Sequence, residues 1–288
     1  MLSISDSDPT DLTLVSEPIS VPGDFPNSVA VSTKHKLVCV SATGASTGVS
    51  CGPFTEEGLG PLDELRPIEL NQSTPPAGPG NTITQVLFSE DESALYTIVK
   101  GNPTANTTGF ISVYPVENGS VSREETRSSP EGTDILFGTN VVPGTNNLVI
   151  ADSSFGAAVV SVDPQTNEAS TLARTEIDGQ SATCWVDYSE RTGTAFLTDA
   201  LVSRLVEIDV NNGSILSTTE LPDSDVLGLT DLQAVGDFVY ALASGNGTTE
   251  AAILVADVSK SPEAGSQLQR FGLEGIAKNR AQGMTALN

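Results

Sequence analysis

Seven polar side chains lie where a repeated apolar strand is about to begin, and their chemistry suits an uncharged polar ligand. Amide and carboxyl groups at such positions could hold a carbonyl or hydroxyl group, and the amides would do so without titrating. The same residue types also cap strands and bond the backbone of nearby turns, which is the alternative role. The seven are Asn27, Asn81, Gln85, Asp134, Gln180, Asp231 and Gln282.

A second set of polar residues follows the second strand of each repeat. It combines two carboxylates with one amine and could bind a cation or a polar substrate, because hard cations prefer oxygen ligands. An aspartate at the step from strand to turn more commonly accepts backbone N–H groups in an Asx turn. No spacing in the chain identifies metal ligands, so we expect no metal and no cofactor. The set is Thr43, Lys100, Asp152, Asp199 and Ser244.

Two more residues are candidates for contact with a small molecule. Trp185, the only tryptophan, could stack on a planar ligand or pack between sheets. Arg280 could bind a carboxylate or stabilise a developing oxyanion. Alternatively, it is a solvated surface residue. The chain shows no nucleophile elbow leading into a helix, no phosphate loop and no His-Glu-x-x-His motif. Serine hydrolase, nucleotide-binding and zinc enzyme functions therefore have no support.

The elements that would position these residues repeat along the chain. Asn147 to Asp163 is an apolar run ending in Asp, a short turn and an alternating run, and Thr194 to Asp209 repeats it about 47 residues later. β-Branched residues at period two around a turn predict a hairpin. Four short strands per repeat predict an all-β fold, a β-propeller of four-stranded antiparallel blades around a central channel.

The blade boundaries follow from the spacing of the first strands. We expect one propeller domain over residues 1–288, with five complete blades and partial ones at the two ends. The segments are an outer half-blade at 1–22, blades at 25–70, 83–129, 134–177, 182–221 and 229–275, and one further inner strand at 280–288.

Charge and composition limit the partners. Among 288 residues, 13 Lys and Arg stand against 37 Asp and Glu, giving a net charge of −24. Such a surface repels phosphate backbones and anionic lipids, so neither nucleic acid nor a membrane is expected as a partner. The first residues lack the basic and apolar regions of a signal peptide. Asn-x-Ser/Thr sequons nevertheless predict a secreted glycoprotein, and they lie at Asn71, Asn106, Asn118, Asn212 and Asn246.

The three cysteines fit an oxidising compartment. If Ala45 is the tip of a hairpin, Cys39 and Cys51 are equidistant from it and face each other across two strands. Opposed residues of an antiparallel pair lie close enough for a disulfide, with two separate buried thiols as the alternative. Cys184 would be left unpaired, either buried or bonded to a cysteine outside this chain.

Several long strings carry a resemblance to a known family. They include FPNSVAVSTKHKLVCVSATGASTGVSC, TPPAGPGNTITQVLFSEDESALYTIVKG and GQSATCWVDYSERTGTAFLTDALVSRLVEID. The chain resembles the fungal secreted 3-carboxymuconate-cyclase-like proteins, distant relatives of the seven-bladed lactonase propellers. The resemblance implies that N-terminal blades are missing here, which would leave an open strand edge prone to edge-to-edge self-association.

The resemblance implies a small-molecule ligand in the channel and lactone-forming or other cyclising chemistry. Muconate-cyclising members use a His with Arg and Glu, whereas the single histidine here, His35, lies in a predicted turn. Some members look like pericyclases that guide a hetero-Diels–Alder addition in meroterpenoid pathways, which needs shape and hydrogen bonding more than acid–base groups. A non-catalytic cell-wall or antigenic glycoprotein is the third possibility.

Overall fold

A computed structural model describes residues 1–223, 225–278 and 281–287. The chain is nearly all-β and divides into two compact units, Met1–Ser128 and Ser129–Asn288. Each consists of antiparallel sheets in which consecutive strands pair, which confirms the predicted β-propeller fold class. Within the described ranges, no helix is long and apolar enough to cross a membrane.

The first unit contains a two-stranded hairpin followed by two larger sheets. The hairpin pairs β1 (Leu2–Ile4) with β2 (Leu12–Leu14). The next sheet is formed by β3 (Pro26–Ser32), β4 (Leu37–Ala42), β5 (Gly48–Thr55), β6 (Gly58–Leu59) and β7 (Arg66–Pro67), the last two both pairing with β5. The third is formed by β8 (Ile83–Phe88), β9 (Ala94–Val99), β10 (Phe110–Glu117), β11 (Ser120–Val121) and β12 (Thr126–Ser128). A single 3-10 turn, Pro103–Ala105, lies between β9 and β10.

The core of the first unit lies between its two larger sheets. Strand β9 is buried along its whole length, as expected for an apolar run covered on both faces. Leu95 and Tyr114 pack there against the Cys39–Cys51 pair. These cysteines form a disulfide between directly opposed residues of β4 and β5, with 4.1 Å between their Cα atoms. Cys184, in the second unit, is buried.

The second unit consists of three four-stranded sheets with the same strand order. The first is β13 (Leu136–Val141), β14 (Asn147–Asp152), β15 (Gly156–Val162) and β16 (Ala169–Glu176). The second is β17 (Thr183–Ser189), β18 (Thr194–Asp199), β19 (Val202–Ile208) and β20 (Ile215–Glu220). The third is β21 (Val226–Val235), β22 (Phe238–Gly245), β23 (Ala252–Asp257) and β24 (Ser266–Gly272).

The two repeated hairpins read from the sequence are β14–β15 and β18–β19. Strand β18 is buried throughout and β14 is buried except at Asn147. The fourth strands β16 and β20 are largely exposed, since they form the outer edge of each sheet. Phe196, Leu205 and Val239 belong to one apolar cluster that joins the second and third sheets. Burial of these side chains is what holds neighbouring sheets together.

Two predicted boundaries differ from the structure. Strand β21 begins at Val226 and not at 229, because two register shifts near Leu229 let the chain remain paired over a longer stretch. Residues 281–287 contain no strand, so the predicted inner strand at 280–288 is wrong over this range. The segment instead makes two hydrogen bonds to the third sheet of this unit, from the Ser244 hydroxyl to the carbonyl of Ala281 and from the N–H of Met284 to the carboxylate of Asp231. Arg280 lies outside the described residues.

Candidate active-site groove

Three polar side chains occupy the same register position on the first strands of the second unit. Each pairs with the third residue of the following strand, that is, with Val149, Phe196 or Tyr240. A shared register places the three side chains at the same end of their sheets. They are Asn140 on β13, Asp187 on β17 and Gln233 on β21.

These side chains line an open groove of about 760 Å³. That volume lies within the range of small-molecule sites, about 300–1,000 Å³. The lining is predominantly polar and contains one aromatic residue, Tyr188. The remaining residues of the wall are Pro143, Glu190, Arg191, Ala234, Val235 and Gly236.

Asp187 is the group in the groove best suited to acid–base chemistry. One carboxylate oxygen accepts the side-chain amide of Asn140, and the other accepts the backbone N–H of Ala234 at 2.8 Å. Burial raises the pKa of Asp187 to about 6, against the lowering effect of the N–H groups of Ala234 and Tyr188. A carboxyl with such a pKa can accept and return a proton near neutral pH.

A second acid, Asp231, lies three residues before Ala234 on β21. It is buried, and its carboxylate accepts the N–H of Leu232 at 2.8 Å and of Met284 at 2.7 Å. Burial raises the pKa of Asp231 to about 6, opposed by these two hydrogen bonds and assisted by the negative charge of Asp187. Asp187 and Asp231, on the first strands of two neighbouring sheets, thus both have pKa values well above the ordinary range of an aspartate.

An ion pair spans the rim of the groove. The Nε atom of Arg191, in the turn after β17, lies 2.8 Å from a carboxylate oxygen of Asp237, in the turn after β21. Both side chains are about half exposed. Arg191 is the only cation in the lining, and the lining also contains Asp187 and Glu190. The groove therefore favours a neutral ligand over a polyanion.

Most of the amides predicted to bind a ligand instead bond the protein itself. Asn27 donates to the carbonyl of Ile83 at 2.7 Å and so ties β3 to β8. The Oδ1 atom of Asn81 accepts the hydroxyl of Thr107 at 2.8 Å, and Gln180 accepts the N–H of Thr183 at 3.0 Å. The Gln180 contact is that of the capping alternative, whereas those of Asn27 and Asn81 join separate segments of the first unit.

The remaining predicted positions differ in exposure. Gln85 is half-buried on β8, Gln282 is exposed, and Lys100 is buried directly after β9. Ser244 donates to the carbonyl of Ala281 at 2.9 Å. Trp185 lies across Gly138, in edge contact with Phe137, which is an inter-sheet packing position. None of these residues lines the groove.

Asp152, Asp199 and Thr43 each bond the backbone that leads into a first strand. Asp152 accepts the N–H of Asp134, and Asp199 accepts that of Ser181. The hydroxyl of Thr43 accepts the N–H of Ile83 at 2.9 Å. Burial and the neighbouring Asp152 raise the pKa of Asp134. Among the described residues, no three His, Cys, Asp or Glu side chains are grouped so as to hold a metal ion.

Two motif-bearing residues lie in turns. His35 contacts the carbonyl of Glu92 through Nε2, between β3 and β4. The stretch GASTG, Gly44 to Gly48, has Gly-x-Ser-x-Gly spacing, but it turns from β4 into β5, and no helix follows. The N–H of Ser46 there bonds Asp24, so this is a hairpin turn and not a nucleophile elbow.

Four sequon asparagines lie in turns or at a strand end, and Asn71 lies in the irregular segment between β7 and β8. Four are exposed, and Asn246 is half-buried, with its side-chain oxygen accepting the N–H of Thr248 at 3.0 Å. Their glycosylation stays a prediction. The exposed four are Asn71, Asn106, Asn118 and Asn212.

The sequence carries a partial signal for the groove. Asn140, Asp187 and Gln233 lie inside strands, where a polar residue in an alternating pattern indicates a solvent-facing position. Asn140 and Asp187 each precede the first residue of their second strand by seven positions, whereas Gln233 precedes Phe238 by five, so an alignment of the repeats shows the shared polar position in two of the three strands. Asp231 was expected at the beginning of a strand and is instead buried within β21.

Comparison with known proteins finds solved structures of similar fold. No family model and no curated protein matches the sequence. Among solved structures, the periplasmic gluconolactonase of Pseudomonas aeruginosa is 14% identical, with a TM-score of 0.70 over 95% of this chain and 78% of that one. Putative 6-phosphogluconolactonases from Bacteroides uniformis and Bacteroides fragilis, both 14% identical, give TM-scores of 0.70 and 0.68. They cover 94% and 93% of this chain, and 77% and 76% of their own. The chain has the fold of the lactonase-type β-propellers.

Proposed function

We propose that this protein is a lactone-processing enzyme whose active site is the groove of the second unit. The observation that carries the proposal is the Asp187 carboxyl, which is oriented by Asn140 and the Ala234 N–H and whose pKa is raised into the working range of a general base. The shared fold with gluconolactonases supports the substrate class.

The proposed reaction is reversible ring opening. Asp187 accepts a proton from water as the water oxygen attacks the lactone carbonyl carbon. The tetrahedral intermediate collapses as the ring C–O bond breaks, and protonated Asp187 returns its proton to the departing ring oxygen. The products are a hydroxyl group and a carboxyl group on one opened chain. Gln233 and Arg191 are the N–H donors in the lining that are suited to the developing oxyanion.

The charge of the lining favours an uncharged lactone. Arg191 is already paired with Asp237, and the neighbouring Glu190 and Asp187 would repel a substrate with several carboxylates. A polyhydroxylated ring could instead bond the amides of Asn140 and Gln233 and the hydroxyl of Tyr188. A sugar lactone fits this groove better than a carboxymuconate. The pericyclase alternative calls for an apolar, aromatic-lined cavity, which the polar groove wall does not provide.

A direct test measures gluconolactone hydrolysis by the wild type and by Asp187→Asn. We expect wild-type turnover and a loss of about a hundredfold or more in the variant, the contribution of a positioned acid–base group. Asp163→Asn is the matched control, because Asp163 lies in an exposed turn of the same unit outside the groove. Absence of wild-type turnover with gluconolactone, or full activity of Asp187→Asn, would reject the proposal.

We also propose that the protein works outside the cytoplasm. The Cys39–Cys51 disulfide supports this, since such bonds persist in oxidising compartments. The gluconolactonase of similar fold is periplasmic. Mass spectrometry of the protein from its native source, before and after reduction, tests the location through the disulfide and through glycans at the sequons.

A further inference from the structure

The hairpin β1–β2 has an apolar face that no sheet covers. Its register pairs Leu2 with Leu14 and Ile4 with Leu12, so these four side chains share one face, and Ser3 and Thr13 lie on the other. The four are between 43% and 55% exposed. Four large aliphatic side chains exposed together form a patch of the kind that marks an interaction site.

This face continues into an apolar groove of about 300 Å³ within the first unit. We call it the N-terminal groove. Val38 and Val40 of β4 line it, together with Ile19 and Val21 of the segment between β2 and β3. Val29 of β3 lies at its mouth and is 62% exposed. The wall is aliphatic apart from Met1, Ser16 and Pro18. A groove of this composition accepts alternate side chains of an extended chain.

The hairpin also presents backbone groups that can pair with another strand. Its cross-strand hydrogen bonds join Val15 to Met1 and Ser5 to Asp11. The alternate residues Leu2 and Ile4, on the outer side of β1, therefore direct their N–H and C=O groups away from β2. Each larger sheet of this unit has four strands in sequence along its main path, whereas this one has two. A strand added beside β1 would hydrogen-bond the outward-facing N–H and C=O groups of Leu2 and Ile4.

Charge determines what kind of strand can bind. Residues 1–33 contain five acidic side chains and neither Lys nor Arg, the first basic residue being Lys34. A second copy of this chain would bring the same acids to the interface and a net charge of −24 to the complex. A segment with basic residues beside its apolar ones is attracted instead. The five acids are Asp6, Asp8, Asp11, Glu17 and Asp24.

We propose that the β1–β2 hairpin and the N-terminal groove together bind an extended, basic, aliphatic segment of another protein by strand addition. The alternate aliphatic side chains of the bound segment enter the groove, and its backbone pairs with the open edge of the hairpin. The lysines or arginines that flank it form ion pairs with the acidic residues. This surface belongs to the first unit and is independent of the proposed lactone site.

The test uses a fluorescent synthetic peptide of alternating valine and threonine with a pair of lysines at each end. Anisotropy is expected to show saturable binding that weakens as ionic strength rises, because exposed charges are screened. The same peptide with glutamates in place of lysines, and a lysine peptide N-methylated at alternate amides, should each bind at least about tenfold more weakly. Equal binding of all three would overturn the proposal, as would no binding of the lysine peptide.

Two variants of the full chain locate the binding surface. Val29→Lys places a cation at the mouth of the groove and should weaken peptide binding about tenfold. Because Val29 is largely exposed, the variant should fold, which a thermal melt verifies. Leu172→Lys, at an apolar residue of β16 that is 54% exposed, is the matched control and should bind like the wild type. Equal peptide affinity of Val29→Lys and the wild type would show that the peptide does not bind in the N-terminal groove. A wild-type dimer that Val29→Lys disrupts and Leu172→Lys does not would show that a second copy of this chain occupies the surface. Either result would overturn the proposal.

Discussion

Asp152 and Asp199 play the same structural part in two successive sheets of the second unit. Each is the last residue of a second strand, and each accepts two backbone N–H groups from the segment entering the first strand of its own sheet. A further N–H, of Ser154 or Leu201, completes each turn. The repeated aspartate therefore closes each sheet at one end, which accounts for its recurrence without a ligand.

Replacing either aspartate by alanine should destabilise the protein by about 3 kcal/mol, because buried N–H groups lose a charged acceptor. Urea denaturation of Asp152→Ala and Asp199→Ala measures the loss. Asp163→Ala is the control, since that side chain caps an exposed turn, and it should cost less than about 1 kcal/mol. If the buried variants lose no more stability than this control, the turns do not depend on the carboxylates.

The fold could be predicted from the sequence because its signal is repeated. Period-two alternation and the echo of Asn147–Asp163 at Thr194–Asp209 determine the strands, since a register slip would turn every apolar side chain outward. Alternation does not locate a strand boundary where the pattern is irregular. The stretch from Val226 to Leu229 remains paired only through register shifts, which alternation does not reveal.

The groove could not be predicted in the same way, because a site depends on which strands become neighbours. Asn140 and Ala234 lie far from Asp187 in sequence, and both bond its carboxylate. The predicted amides Asn27 and Gln180 have the right chemistry, but each bonds a backbone group of the protein, that of Ile83 or of Thr183. Residue type alone does not distinguish a capping amide from one that lines a groove.

Two buried hydroxyls in the first unit are candidates for stabilising substitutions. Thr97 on β9 and Ser112 on β10 are directly opposed, fully buried and without a hydrogen-bond partner. Thr97→Val should leave the free energy of unfolding unchanged or raise it by about 1 kcal/mol, because an unsatisfied polar atom is removed. The matched control is Thr43→Val, which removes the acceptor for the N–H of Ile83 and should cost about 1–2 kcal/mol. A loss in Thr97→Val as large as in this control would show that its hydroxyl is satisfied in solution.

The disulfide should contribute measurably to stability. Cys39 and Cys51 are separated by 12 positions, and closing a loop of that size removes unfolded-state entropy worth about 3 kcal/mol. Unfolding in urea with and without a reducing agent should show a loss of this order in the wild type. A variant with Cys39→Ser and Cys51→Ser should be insensitive to the reducing agent, and sensitivity there would indicate a different thiol.

Asp231 should make stability depend on pH. Because burial raises its pKa from 3.8 to about 6, the folded protein binds this proton more tightly than the unfolded chain. The ionised carboxyl therefore costs stability, fully above about pH 6 and not at all below about pH 4. Relative to the wild type, Asp231→Asn should gain in melting temperature between about pH 4 and pH 7. A difference between the two proteins that is constant across this range would show that the pKa is not raised.

The pH dependence of turnover tests the role of Asp187. A general base must be ionised, so kcat/KM for gluconolactone should rise with pH through about 6 and level off above it, reflecting the pKa of Asp187 in the free enzyme. Asn140→Ala removes the amide that orients the carboxylate and should lower kcat/KM while keeping an inflection. The residual activity of Asp187→Asn should show no inflection near pH 6, whereas Asp163→Asn should retain the wild-type profile. An inflection that persists in Asp187→Asn would assign the titrating group to another residue, with Asp231 the next to test.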